Sequence, residues 1–265
     1  MRLHSKFISI LLAGVVSMPV LAADATDSER EARARLMEMA RFMSGLDKFS
    51  VTIRAGYDVE QANGQKIQFL QVGDVILDRP DRMRVAQDLG EGGTSLVLFD
   101  GSTLTVADGD SDIFAQAPQP GTLDDTIIYF VRDLKMRLPL APLFMTILPA
   151  EFERRVKSID YVEVSYALDV PTHQIAARTN TVDFQIWIAD GKKPLPQRVV
   201  LTYKGEAGQP QFWAEFSDWN LKPRINAQTF AFKPAPDSRQ IVFAVQIPPM
   251  NQPPAKAGAL EGVQP

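Results

Sequence analysis

Apolar and polar residues alternate with a period of two through much of this chain, and this alternation restricts the possible fold more than any other feature. Between Phe49 and Val59 every second residue is apolar or small, and comparable segments recur as far as residue 220. An Asn-Gly pair at 63–64 and Asp-Gly pairs at 100–101 and 190–191 separate neighbouring segments. Such pairs are typical of tight hairpin turns, so the pattern predicts about 11 short antiparallel strands in a curled sheet or barrel.

Two segments have the period of an α-helix instead. Residues 25–49 carry an apolar stripe with steps of three and four, which predicts one amphipathic helix before the strands. Residues 122–156 are apolar and helical, and Pro139 and Pro142 divide them into two or three short helices. A threonine and an aspartate at the start of this second segment resemble a capping box. The order of the elements therefore predicts an α+β fold.

The two ends of the chain differ in composition from the rest. Residues 1–22 begin with a basic stretch, continue with an apolar run and end in small residues, which is the pattern of a secretory signal peptide. Residues 246–265 are rich in proline and small residues and lack an apolar period, which predicts a disordered tail. We therefore expect one domain over residues 23–245, exported to the periplasm and without a transmembrane anchor after signal cleavage.

Composition argues against several classes of function. Without Arg2 and Lys6 of the signal, 26 basic residues stand against 32 acidic residues, and this net charge of −6 does not suit a nucleic-acid-binding surface. The chain has no cysteine, and His173 is its one histidine after signal cleavage. We therefore predict no catalytic residues, no metal and no cofactor, and interpret His173 as a structural, partly exposed residue at the start of a strand. A hydrolase that uses His173 is the less favoured alternative.

The acidic run at 108–112 has the spacing with which a calcium-binding loop begins. However, Ile113 stands where such a loop requires glycine, and Gln119 stands where it requires glutamate. The run therefore favours an acidic hairpin turn.

The predicted hairpin at 183–204 has apolar side chains on both faces. Phe184, Ile186 and Ile188 share one face, and Trp187 points to the other. The first face can pack directly on the helical segment at 122–156 as an ordinary core. Alternatively, the two apolar surfaces face each other across a ligand groove. In both cases we expect Trp187 to point outward, with Trp213 or Trp219 two strands along.

Several motifs give the chain a resemblance to a known family. It resembles the LolA/LolB-like fold and, more closely, a family of predicted periplasmic proteins of unknown function with that fold. The motifs are RPDRMRV, FDGSTLTV, PGTLDD, WIADGKKPLPQRVVLTYK, PQFWAEFSDWN and FAFKPAPDSRQIVF, which together span most of residues 30–243.

The resemblance implies an unclosed antiparallel β-barrel with the helices at about 122–156 across its opening as a lid. It also implies a non-catalytic periplasmic binding protein or carrier, which holds an amphiphile such as a lipid or lipoprotein acyl chain between sheet and lid. Arg79, the arginine of the RP pair, would control lid opening by contacting lid backbone, although a solvated surface charge is its ordinary interpretation. The ligand-binding residues expected are Arg79, Ile127, Phe130, Val131, Leu134, Leu140, Phe144, Phe184, Ile186, Ile188 and Leu201.

The alternative function is a cell-envelope protein-interaction module with a fully packed core. In that case an exposed Trp187, Trp213 or Trp219 would meet an envelope protein partner. A cavity between lid and sheet distinguishes the carrier from this module.

Overall fold

The alternating segments form one sheet of 12 strands in the computed structural model, which describes residues 25–90 and 92–243. The strands are β1 (Lys48–Glu60), β2 (Lys66–Asp78), β3 (Arg82–Leu89), β4 (Thr94–Phe99), β5 (Thr103–Asp108), β6 (Ile113–Pro118), β7 (Ser158–Ser165), β8 (Thr172–Arg178), β9 (Val182–Ala189), β10 (Pro196–Tyr203), β11 (Gln211–Asn220) and β12 (Arg239–Ile241). Their order across the sheet is β12-β6-β5-β4-β3-β2-β1-β11-β10-β9-β8-β7. Because β12 and β7 lie at opposite ends, the sheet is curled but unclosed, as the sequence predicts. The signal peptide predicted at 1–22 and the tail predicted at 246–265 lie outside the described residues.

The last strand corrects the expectation of a purely antiparallel sheet. β12 pairs with β6 in the parallel direction, with Gln240 opposite Phe114. The chain returns after β11 to the far end of the sheet, and the backbone N–H of Arg239 donates to the oxygen of Asp112 at 2.8 Å. A crossover over this distance permits parallel pairing, which a short hairpin does not.

The helical segments form where the sequence predicts them, except that the first helix ends at Ser44 and residues 48 and 49 belong to β1. The helices are α1 (Ala25–Ser44), α2 (Leu123–Arg132), α3 (Ala141–Phe144) and α4 (Leu148–Arg155). Thr122 caps α2, since its hydroxyl accepts from the backbone N–H of Asp125 at 3.2 Å and the Asp125 carboxylate accepts from the backbone N–H of Thr122 at 3.0 Å. A proline lies in the first turn of both α3 and α4, where its missing N–H costs no hydrogen bond. We call α2, α3, α4 and their connections the lid.

α1 covers one end of the inner face of the sheet. It lies against β7, β8 and β9 and also contacts α3 and α4. Its apolar stripe is buried completely at Met39, Ala40 and Met43. The Ser28 hydroxyl of α1 accepts from the backbone N–H of Tyr161 at 3.0 Å and so joins the helix to the outermost strand, β7.

The register of β9 and β10 decides which side chains face the lid. Ile186 lies opposite Val199 and Phe184 opposite Leu201, and the inward side chains of β9 are buried. Trp187 points to the outer face, where the guanidinium of Arg198 lies 5.7 Å from its ring centre. The same guanidinium lies 5.4 Å from the ring of Trp213, which confirms the outward direction of Trp187.

Candidate ligand cavity between the lid and the sheet

A cavity of about 540 Å³ separates the lid from β9 and β10. Val131, Leu148 and Phe152 line it from the lid, and Ile186 and Leu201 line it from the sheet. The ring of Phe152 stacks on that of Phe184 with centres 5.8 Å apart, which closes one side of the space. The apolar surfaces of lid and sheet are therefore not in gap-free contact at this place. We call this space the larger cavity.

A second space of about 190 Å³ lies on the other side of the lid, over β1 to β4. Ile127 and Phe144 line it from the lid, and Val75, Val85 and Val97 line it from the sheet. The three valines are neighbours across β2, β3 and β4 and point to the inner face together. We call this space the smaller cavity.

The structure places the expected ligand-binding residues in three groups. Val131, Leu140, Phe184, Ile186 and Leu201 line the larger cavity, whereas Ile127, Leu140 and Phe144 line the smaller one. The remaining four, Arg79, Phe130, Leu134 and Ile188, line neither cavity.

The apolar members of the last group are packed instead of facing open space. Phe130 is buried in the core beneath α2, and Leu134 is half-buried against the same core. Ile188 is buried at the end of β9 that α1 approaches, beside His173 on β8. Periodicity places these residues on the correct face, but only the positions of α1 and the lid decide which of them remain beside a cavity.

The mouth of the cavities carries charged side chains. Arg137, in the connection between α2 and α3, forms an ion pair of 2.8 Å with Glu206, in the turn between β10 and β11. Its guanidinium also lies 5.8 Å from the ring centre of Tyr203, and burial raises the pKa of that phenol. The pair therefore joins the lid to the sheet across the opening.

Arg79 contacts a different element from the one expected. Its Nε donates to the backbone oxygen of Leu46 at 2.9 Å, and Leu46 follows α1 instead of belonging to the lid. The backbone N–H of Arg79 donates to the oxygen of Asp47, so the whole residue lies against the segment between α1 and β1. The lid is contacted by the next residue, because the oxygen of Pro80 accepts from the backbone N–H of Leu123 at 2.8 Å.

The guanidinium of Arg79 is not a solvated surface charge. Its two terminal nitrogens are buried and have no hydrogen-bond partner among the described residues. Burial lowers the pKa of Arg79, and the nearby carboxylates of Asp124 and Asp47 oppose that effect. Asp124 lies in the first turn of α2 and accepts from the backbone N–H of Thr146. The Arg79 guanidinium thus interacts with the lid through the charge of the Asp124 carboxylate, without a hydrogen bond to the lid.

His173 is buried, which corrects the expectation of partial exposure. It is 5% exposed because α1 covers this part of the sheet. Its Nδ1 lies 2.8 Å from the Tyr161 hydroxyl, and its Nε2 lies 3.0 Å from an Asp190 carboxylate oxygen. Burial raises the pKa of the Tyr161 phenol, which therefore keeps its proton. The Asp190 carboxylate can only accept, so in a neutral imidazole Nε2 donates to it and Nδ1 accepts from the phenol. Because both ring nitrogens are engaged, neither is free to activate a serine.

The acidic run at 108–112 forms the turn that the sequence predicts, whereas Trp219 lies elsewhere than expected. The run at 108–112 is a turn in which Asp108 accepts backbone N–H groups from Asp110 and Ser111, and these hydrogen bonds lower the pKa of Asp108. Trp219 is not an exposed residue of the outer face: its ring stacks on Phe216 and lies 5.4 Å from that of Phe49, in the core. Within the described residues, no His, Cys, Asp or Glu side chains form a group of three suited to a metal ion.

The chain thus combines an open curled sheet, a helical lid and apolar cavities between them. The chain belongs to the family described as predicted periplasmic protein (DUF2092), whose model matches residues 32–244. This assignment confirms the family resemblance and the periplasmic location that the sequence predicts. Within the described residues, no helix combines the length and the apolar character needed to span a bilayer.

Solved structures with a similar course of the chain share little sequence with it. The Mycobacterium tuberculosis lipoprotein LppX is 12% identical, with 75% of this chain and 100% of that chain covered and a TM-score of 0.48. The LolA superfamily protein NE2245 of Nitrosomonas europaea is 12% identical, with 76% and 97% covered and a TM-score of 0.38. The Pseudomonas aeruginosa MucA/MucB complex gives 17% identity, with 80% and 62% covered and a TM-score of 0.40. No curated protein matches the chain significantly in sequence.

Proposed function

We propose that this protein is a non-catalytic periplasmic binding protein or carrier for an amphiphile whose hydrocarbon part enters the space between lid and sheet. The larger cavity is the observation that carries the proposal. Its volume of about 540 Å³ lies within the range of about 300–1,000 Å³ that is typical of ligand sites. Each methylene transferred from water into such a space contributes ~0.8 kcal/mol, so a long chain needs few polar contacts.

The lid supports this proposal because it exposes apolar side chains beside the cavity. Val131 is 44% exposed and Met136 is 36% exposed, and both line the larger cavity. A bound chain would cover them. Methionine adapts its side chain easily, which suits contact with a flexible ligand.

The test is binding of an apolar fluorescent probe to the purified mature protein, followed by displacement with lipids. Leu201→Trp narrows the larger cavity and should weaken probe binding at least about tenfold, which corresponds to the loss of about two buried methylenes. Thr202→Trp is the matched control, because residue 202 points to the outer face of the same strand. Equal binding by both variants, or no binding by the wild type, would contradict the proposal.

Control of the lid by Arg79 is a further part of the proposal. The contact of Pro80 with α2 and the two unpartnered guanidinium nitrogens near Asp124 support it. Arg79→Leu should then change the rate of probe entry and the hydrogen exchange of α2 amides. If both remain at wild-type values, Arg79 has no role in lid opening.

One observation favours a protein partner as the alternative function. At the end of the hairpin β1–β2, Tyr57, Val59, Ile67 and Phe69 are each 37–41% exposed on the inner face. A photo-crosslinking residue in place of Phe69 tests this surface in cells. Capture of one defined envelope protein from position 69, but not from position 202, would support the alternative.

A further inference from the structure

We propose that the segment Arg137–Leu140 is a partition that divides the ligand between the two cavities, and that the ligand is an amphiphile with two hydrocarbon chains. This inference rests on the proposed function, because it concerns the ligand of the same site. It adds the number of chains and identifies the part of the lid that separates them. We call the segment Arg137–Leu140 the partition.

The lining of the cavities defines the partition. Arg137, Leu138, Pro139 and Leu140 line both the larger and the smaller cavity, and they are the residues that the two linings share. One side of this segment faces β9 and β10, and the other faces β1 to β4. A single stretch of four residues is therefore the wall between two apolar spaces.

A third space, lined in part by polar side chains, borders both cavities. This opening, of about 290 Å³, is lined by Arg137 and Pro139 of the partition and by Asp58, Tyr203 and Gln211. The opening shares Gln71 and Phe212 with the smaller cavity, and it shares Tyr203 with the larger one. The arrangement is two apolar arms that border one opening with polar side chains, which suits two chains attached to one head group.

The partition is held at both ends. On one side the backbone N–H of Met136 donates to the oxygen of Phe130 at 3.2 Å, and on the other Ala141 donates to Leu138 at 3.0 Å. Pro139 restricts the backbone between these bonds. The ion pair of Arg137 with Glu206 fixes the partition to the sheet.

A ligand with one chain would use this space poorly. The chain would fill one arm and leave the other empty, and an empty apolar cavity forfeits contacts that a second chain supplies. The arms also differ in size, at about 540 and 190 Å³, so we expect one chain to be buried more deeply than the other.

The experiment compares two probes with the same head group on the purified mature protein. The probes are dipalmitoyl phosphatidylglycerol and palmitoyl lysophosphatidylglycerol, and native mass spectrometry gives stoichiometry while displacement of a fluorescent dye gives affinity. Val85→Trp narrows the smaller arm and Leu201→Trp narrows the larger one. Both residues are half-buried, lie on strands and line one arm each, so the variants are matched.

For the wild type we expect one two-chain molecule or up to two single-chain molecules per protein. Val85→Trp should weaken the two-chain probe at least about tenfold, since each methylene left in water costs roughly fourfold in affinity. Its first single-chain molecule should bind as before. Leu201→Trp should weaken both probes. If Val85→Trp does not give the circular dichroism and cooperative unfolding of the wild type, Val85→Phe takes its place.

Two results would overturn the inference, and they have different consequences. If Val85→Trp leaves the two-chain probe within about twofold of wild type, which is within about 0.4 kcal/mol, the smaller arm is not used. The proposed role of the partition is then wrong, while the proposed function stands. If the wild type binds neither probe and no apolar dye, the proposed function fails as well.

Discussion

α1 and α2 both face the inner surface of the sheet, but the backbone of α1 lies closer to the strands than that of α2 does. α1 lies against β7, β8 and β9, and its Met39 and Met43 have no exposed surface. α2 approaches no strand comparably, and its Val131 is 44% exposed beside the larger cavity. α1 therefore completes the core, whereas α2 contributes Leu123 and Phe130 to the core and borders the cavities with Ile127 and Val131.

The residues at the two interfaces account for this difference. α1 buries Ala32 and Ala40 completely, and such small side chains allow neighbouring backbones to come close. The lid instead contains Pro139 and Pro142, which interrupt its helices. The non-helical segment around Pro139 lines both cavities, so the spaces lie where the lid is interrupted.

The largest expected difference between the two helices is in stability. Met39→Ala should lower the free energy of unfolding by about 2–5 kcal/mol, because it opens a cavity in a filled interface. Val131→Ala should change the free energy of unfolding by less than about 0.5 kcal/mol, since its side chain already borders open space. Urea denaturation of both variants checks this. Equal losses would mean that the lid is packed as tightly as α1.

A smaller effect is expected beneath α1, at the chain of hydrogen bonds through His173. His173→Ala leaves the Tyr161 hydroxyl and Asp190 without their partner, which should cost about 1–3 kcal/mol. Probe binding should not change, because His173 lines neither cavity. Thermal unfolding and dye titration measure the two quantities. Weaker probe binding by a folded variant would mean that the region beneath α1 affects the ligand site. That result would contradict the difference proposed between α1 and α2.

The cap of α2 should make the lid sensitive to acid. Hydrogen bonds from Thr122 lower the pKa of Asp125 below its ordinary value of 3.8. The contribution of Asp125 to folding is therefore complete well above pH 3.8 and is lost as the pH falls through the lowered folded-state pKa. The difference in melting temperature between wild type and Asp125→Asn should shrink over that interval. A difference that does not depend on pH would show that the charged cap has no such role.

Only a small change in stability is expected at the mouth. The Arg137 and Glu206 side chains are 73% and 37% exposed, so Arg137→Gln should cost less than about 1 kcal/mol. It should nevertheless speed probe release, because it frees the partition from the sheet. Salt should speed release from the wild type and have less effect on the variant, since salt weakens exposed ion pairs. Stopped-flow measurement of probe release at two salt concentrations checks this. Identical release rates for the wild type and the variant would mean that the ion pair does not control release.

The sequence predicted the elements that depend on neighbouring residues. Period-two alternation and Asp-Gly turns identified the strands, and Thr122 with Asp125 identified the start of the lid. The sequence did not predict the parallel strand β12, because residues 221–238 have no period that directs them to β6. It also did not identify Val85 and Val97 as cavity residues. The alternation of apolar and polar residues is the same whether an inward valine contacts a side chain or borders a cavity.

The sequence by itself determined a sheet of alternating strands, an amphipathic helix before it and a helical segment broken by prolines, because these patterns act over a few residues. The tertiary structure decided which apolar residues meet side chains and which border a cavity. It also buried His173 beneath α1 and turned Arg79 toward Leu46. These outcomes depend on distances between elements far apart in the chain, and no local pattern of residues encodes such distances.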